Sequence, residues 1–117
     1  MRIERQFTQQ TVTIASGAHH SDEFYFAPYT FLSVEMPSAW DSADIGFEVS
    51  RTSGGTFVPL YDEHGNVVRI DGPSTDQMHS APAEVAGQMY VRLWSEDGSG
   101  GDTNQTADRE LGLVMKG

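Results

Sequence analysis

Cysteine is absent from this chain of 117 residues. That removes a disulfide framework, a thiolate metal site and a thiol nucleophile together, and it weighs against a small secreted scaffold stapled by bridges. Cations are scarce: seven Lys and Arg stand against seventeen Asp and Glu, a formal net charge of −10. Phosphate backbones and anionic membrane surfaces both bind through cationic contacts, so neither nucleic acid nor membrane is an expected partner. A basic protein surface is favoured instead. No apolar run approaches the ~18 residues of a membrane span. None follows Met1-Arg2-Ile3-Glu4-Arg5-Gln6-Phe7 either, so no signal peptide is expected and synthesis in a cytosol is. Hydrophobic residues make up 38% of the chain, which predicts a thin core.

What the chain does have is punctuation. Twelve glycines and five prolines fall between short apolar runs, which suits many short strands and poorly suits long helices. Thr11-Val12-Thr13-Ile14 alternates polar and apolar. Phe24-Tyr25-Phe26 is a short aromatic strand stopped at Pro28. Residues 29–36 place Leu32, Val34 and Met36 on one face and Tyr29 and Phe31 on the other. Ile45, Phe47 and Val49 alternate with Gly46, Glu48 and Ser50, and after a turn at Gly54-Gly55 the chain returns through residues 56–61, with Phe57 and Leu60 expected in the core. Pro59 marks that strand as an edge or a bulge. A second hairpin turn at Gly65-Asn66 leads to residues 67–70. Met89, Val91 and Leu93 oppose Tyr90, Arg92 and Trp94, and Leu111, Leu113 and Met115 close the series.

Eight to nine short strands at spacings near ten residues predict an all-β fold: a single-domain antiparallel β-sandwich, jelly-roll-like, over residues 11–117. Residues 1–10 are expected to be an extended N-terminal arm packed on another subunit. The segments at 71–83 and 95–108 are expected as long crossings between sheets, the first with a helical turn near 74–78.

The chemistry-bearing residues do not form a recognisable catalytic set. His19 and His20 are adjacent, so in an extended segment they point to opposite faces and do not converge on a metal. No HExxH spacing supports them. The loop Asp97-Gly98-Ser99-Gly100-Gly101-Asp102-Thr103-Asn104 has calcium-like oxygens but not the spacing of a calcium hand. It also lacks the Lys and helix start of a phosphate cradle, and no GxSxG elbow is present. Trp40, Tyr61, Tyr90 and Trp94 could stack on sugars, though rings at the margin of a thin sandwich more often pack as core. The expectation is a chain that is not an enzyme, with no catalytic residue, metal or cofactor.

Several elements together carry a likeness: Thr11 to Gly17; Met36-Pro37 and Ala39-Trp40; Ile45-Gly46-Phe47-Glu48-Val49-Ser50; Gly54 to Phe57; Leu60 to Asp62; Tyr90 to Leu93; and Gln105-Thr106-Ala107-Asp108-Arg109. In these the chain resembles a group of small tailed-bacteriophage virion proteins. The resemblance implies a β-sandwich cement or decoration protein on the capsid surface, made in the host cytoplasm. Its partner would be the major capsid protein, and it would act as a homo-oligomer, a trimer at the local threefold axes of a shell. The alternative is a carbohydrate- or host-surface-binding module of a tail or head fibre. The candidate partner contacts are Arg2, Ile3, Arg5 and Phe7 on the arm, Trp40 on the 38–43 loop, Asp76 on the 71–83 loop, and Arg109.

Overall fold

The computed structural model describes residues 7–117. Nine strands follow one another: β1 (Phe7–Ile14), β2 (Phe24–Tyr25), β3 (Phe31–Glu35), β4 (Asp44–Ser50), β5 (Val58–Pro59), β6 (Arg69–Ile70), β7 (Met78–Ser80), β8 (Tyr90–Glu96) and β9 (Arg109–Lys116). A 3-10 turn at Ala83–Val85 precedes β8. One sheet has the order β1-β9-β3-β7; the other has β2-β8-β4-β5, with β6 also pairing β4. Every pairing is antiparallel. The first strand thus lies beside the last and the second beside the last but one, which is the jelly-roll order once β5 and β6 are taken as one interrupted edge. That edge is where Pro59 sits, with no ladder hydrogen bond for it to remove on the solvent side.

The core lies where the two alternating patterns meet. Val12, Ile14, Leu32, Val34, Leu111, Leu113 and Met115 enter it from the four-stranded sheet, and Phe24, Ile45, Phe47, Val91 and Leu93 from the other. Side chains two apart on a strand share a face. The apolar residues of β3, β4, β8 and β9 therefore bury without any helix to cover them.

The structure departs from the sequence expectations in four places. The expected arm divides: residues 1–6 lie outside the described residues, while Phe7 to Gln10 belong to β1 and pair with Leu113 to Lys116. The segment at 71–83 does cross between sheets, but it holds no helical turn at 74–78. Met78–Ser80 forms β7 on the edge of β3, and the helical turn falls at Ala83–Val85. Phe57 is not core: its ring lies on the outer face of the five-stranded sheet, 4.7 Å from the Arg92 guanidinium carbon. Val49 and Leu60 only pack against the core's margin.

Candidate docking surfaces

At its Trp94–Glu96 end the outer face of the five-stranded sheet is closed over by loops. Trp94 points outward from β8, yet it is only 2% exposed. It stands opposite Gly46 in the β4–β8 register, and a side chain at residue 46 would run into its ring. His20 bridges to its backbone, and its indole Nε1 donates to Asp102 Oδ1 at 2.9 Å. Beside it Glu96 is fully buried. Its carboxylate accepts from Arg69 Nε, from Gly98 N (2.8 Å) and from Gly100 N (3.0 Å). Asp97 accepts from Ser99 N and Gly101 N. The glycine- and aspartate-rich loop is therefore folded onto its own carboxylates and serves as a lid on Trp94. Gln105, also fully buried, ties this lid down by bonding Asp41 N, Asp41 O and Ser95 Oγ.

Arginines are committed to this architecture. Two of the seven cations, Arg2 and Arg5, fall within residues 1–6. Of the remaining five, Arg69 pairs with Glu96 and Asp44, Arg92 with Glu48, and Arg109 with Asp41. Only Arg51 and Lys116 are left without an ion pair among the described residues, so the accessible surface is dominated by carboxylates. Long-range attraction for a basic partner, weakened by salt, follows directly.

Among the described residues the candidate contacts divide: Arg109 and Asp76 bond the segment around the Trp40 loop, at Asp41 and Pro37, while Phe7 lies at the other end of β1. Arg2, Ile3 and Arg5 lie outside the described residues. Arg109 faces inward, its side chain 12% exposed, holding the 38–43 loop through Asp41. Trp40 packs against the core with Nε1 donating to Ala43 O. Asp76 is exposed on a turn at φ +57, its N–H bonded to Pro37 O. Phe7 is 76% exposed at the start of β1. Of the four rings considered for sugar stacking, Trp94 is buried and Trp40 is packed. Tyr61 stays exposed, and Tyr90 lies 5.2 Å from the exposed Tyr25. Among the described residues no group of three or more His, Cys, Asp or Glu converges as metal ligands.

Sequence reasoning missed the outer face of the four-stranded sheet. Register aligns Phe7, Lys116 and Phe31 in one row, Gln9, Val114, Ser33 and Ser80 in the next, and Thr11, Gly112, Glu35 and Met78 in a third. Phe31 is 60% exposed and Met78 50%. With Ser33, Val114 and Lys116 they line an open hollow of about 480 Å³. Phe31 gave a signal, since it falls out of phase with Leu32 and Val34, but its neighbours come from strands far away in the chain.

Titration reports on this scaffold. Hydrogen bonds from Thr106, with Arg109 adding, hold the Asp41 carboxyl below its ordinary range. Backbone N–H groups of Asn66 and then His64 do so for Asp62, and those of Ser99 and Gly101 for Asp97. Burial, then Arg92, lowers His20. Depressed carboxyls contribute stability that is complete above about pH 4 and lost as pH falls through their folded values. A depressed histidine works through the unfolded chain, which takes up its proton first as pH drops below about 6.5. We expect the urea midpoint to fall in two limbs, one between pH 7 and the folded His20 value and one below pH 4. His20→Gln should flatten only the first, and Asp97→Asn should blunt only the second. An identical profile for His20→Gln would refute the assignment.

No protein-family profile matches the chain, and no curated protein matches it. Among solved structures it is similar to the crystal structure of the SPBc2 prophage-derived protein YomS, at 15% identity and a TM-score of 0.63, covering 100% of this chain and 98% of that one. At that identity the likeness is one of fold.

Proposed function

We propose that this chain is a non-enzymatic structural protein of a bacteriophage virion. It acts as a cement or decoration protein that binds the major capsid protein on the outer shell and stabilises the shell by bridging capsomers. It is made in the host cytoplasm and resides on the capsid surface. The observation that carries the reading is the distribution of charge. Arg69, Arg92 and Arg109 are held in internal ion pairs while carboxylates cover the outside, which makes a rigid sandwich suited to docking on a basic protein surface. Such docking needs area and complementarity rather than reactive groups. The whole-length fold likeness to a prophage-derived protein agrees with a phage origin, as does the resemblance to virion proteins.

The test is quantitation of purified particles. We expect hundreds of copies per particle on the shell. Re-binding of purified protein to stripped shells should weaken at least tenfold between about 0.05 and 0.5 M salt, where the Debye length shrinks from ~14 to ~4 Å. A few copies at the tail would instead favour the second reading, a carbohydrate- or host-surface-binding module. Its support is the exposed Tyr25 ring, 5.2 Å from the half-buried Tyr90.

A further inference from the structure

We propose that the outer face of the four-stranded sheet is a self-association surface, on which two copies of this chain pack face to face about a two-fold axis. The proposal goes beyond the capsid reading and does not depend on it.

The face is unusual for a chain of this charge. It gathers Phe31, Met78 and Val114 around an open hollow, and Phe7 extends the apolar strip by one strand. Exposed apolar side chains scattered singly are ordinary, whereas a contiguous set brought together by register marks an interaction surface. The two charges framing it have opposite signs and sit at opposite ends. Lys116 lies in the row of Phe31, and Glu35 in the row of Met78. Neither has an ion-pair partner among the described residues.

That arrangement is self-complementary. A two-fold axis running along the middle row, through Val114 and Ser33, exchanges the first and third rows between copies. Strand positions are kept in that rotation, so Lys116 of one copy lies over Gly112 of the other and Phe31 over Glu35. Each long side chain reaches its partner, Glu35 or Met78, diagonally across one inter-strand spacing of about 4.8 Å. Each copy supplies one Lys116–Glu35 ion pair and one Phe31–Met78 contact, as an isologous interface requires. A shell or other basic partner would gain nothing from Lys116 at this position, whereas a second acidic copy gains an ion pair from it. Gly112, in the third row, carries no side chain that would hold the faces apart. The complementarity is two-fold, so a pair takes the place of the trimer that shell symmetry suggested.

The contact should be weak. Three inter-strand spacings give a face about 15 Å across, and five residues along a strand give about 17 Å, small against the ~800 Å² per partner of a standard interface. A dissociation constant in the micromolar range is expected, within reach of dilution.

Sedimentation equilibrium of the purified full-length chain should show a mass moving from the 12.8 kDa monomer to twice that value as concentration rises. Phe31→Glu and Met78→Glu should each weaken association more than tenfold while circular dichroism stays native. If one of them fails to fold, the other carries the test, since both side chains are exposed. Lys116→Glu and Glu35→Lys should each weaken the pair, and their combination should restore it. Any of four results would overturn the proposal: a monomer at every concentration, a trimer, a dimer indifferent to Phe31→Glu and Met78→Glu, or charge variants whose combination does not recover. A chain that dimerises only after deletion of residues 1–6 would assign the face to that segment and also overturn it.

Discussion

Glu96→Ala is expected to lower the melting midpoint by roughly 10 °C or more, converting the lower end of the cost of a broken buried pair at several degrees per kcal/mol. Glu96 is fully buried and answers three donors together: Arg69 Nε and the N–H groups of Gly98 and Gly100. Removing one member of a buried ion pair costs about 3–5 kcal/mol because the other charge is left without compensation. Arg69 is 22% exposed on its side chain and keeps Asp44 at 3.8 Å, so water and that second carboxylate recover part of the loss. The lower end of the range is therefore expected. Glu96→Gln separates the two contributions. Its amide oxygen can still accept from the loop, so it should cost about half as much, the share that belongs to the charge. Melts followed by far-ultraviolet circular dichroism and by tryptophan fluorescence check both. A fall of under about 3 °C for the alanine variant would show that the cluster is not a structural keystone.

Gly46→Ala, a change of one methyl group, is expected to destabilise by about 2–3 kcal/mol, an overpacking cost. A Cβ at residue 46 would stand 2.5 Å from Trp94 Cε3 and 3.3 Å from Glu96 Cγ. The indole has nowhere to move, since Asp102 holds its Nε1 at 2.9 Å and the 19–21 segment runs along the same strand. The cause is the ring, so the cost should vanish with it. Trp94→Leu is itself damaging, but Gly46→Ala added to it should cost little. Residues in contact deviate from additivity in this way. Urea unfolding of the two single variants and the double variant measures the coupling, and strictly additive costs would rule the clash out.

The strands that bury one face were readable because alternation is a local property. Leu32, Val34 and Met36 carry it, as do Ile45 and Phe47, Val91 and Leu93, and the 111–115 set. The two long segments at 71–83 and 95–108 pointed to sheet crossings, and together with the strands they led to a jelly-roll-like sandwich, while the order of the strands is set by pairings far apart in the chain. β7 was not readable. Met78-His79-Ser80 has no apolar alternation, and it is a strand only because the edge of β3 offers backbone partners to it.

The candidate contacts were less legible still. Trp94 has the phase of an outward residue, and what covers it is brought from residues 20 and 102 by the fold. A glycine facing a tryptophan across two strands was the available clue, though it requires the register to be known. Arg109 looked free because its carboxylate partner lies 68 residues earlier. The acidic balance was plain from composition. That the arginines sit inside and the acids outside is a tertiary fact.

The pairing of Phe7 with Lys116 sets a schedule for the chain's synthesis. β9 lies between β1 and β3, so the four-stranded sheet has no centre until the final eight-residue strand has been translated and has cleared the ribosome. Until then β1, which carries Val12 and Ile14, lacks its strand partner in that sheet. Such late closure of the longest sequence separation is slow and leaves edges open to other chains. A stop codon before Arg109 would therefore do more than shorten the protein: it would release a chain whose first sheet cannot form, and which is expected to be cleared or to aggregate rather than fold.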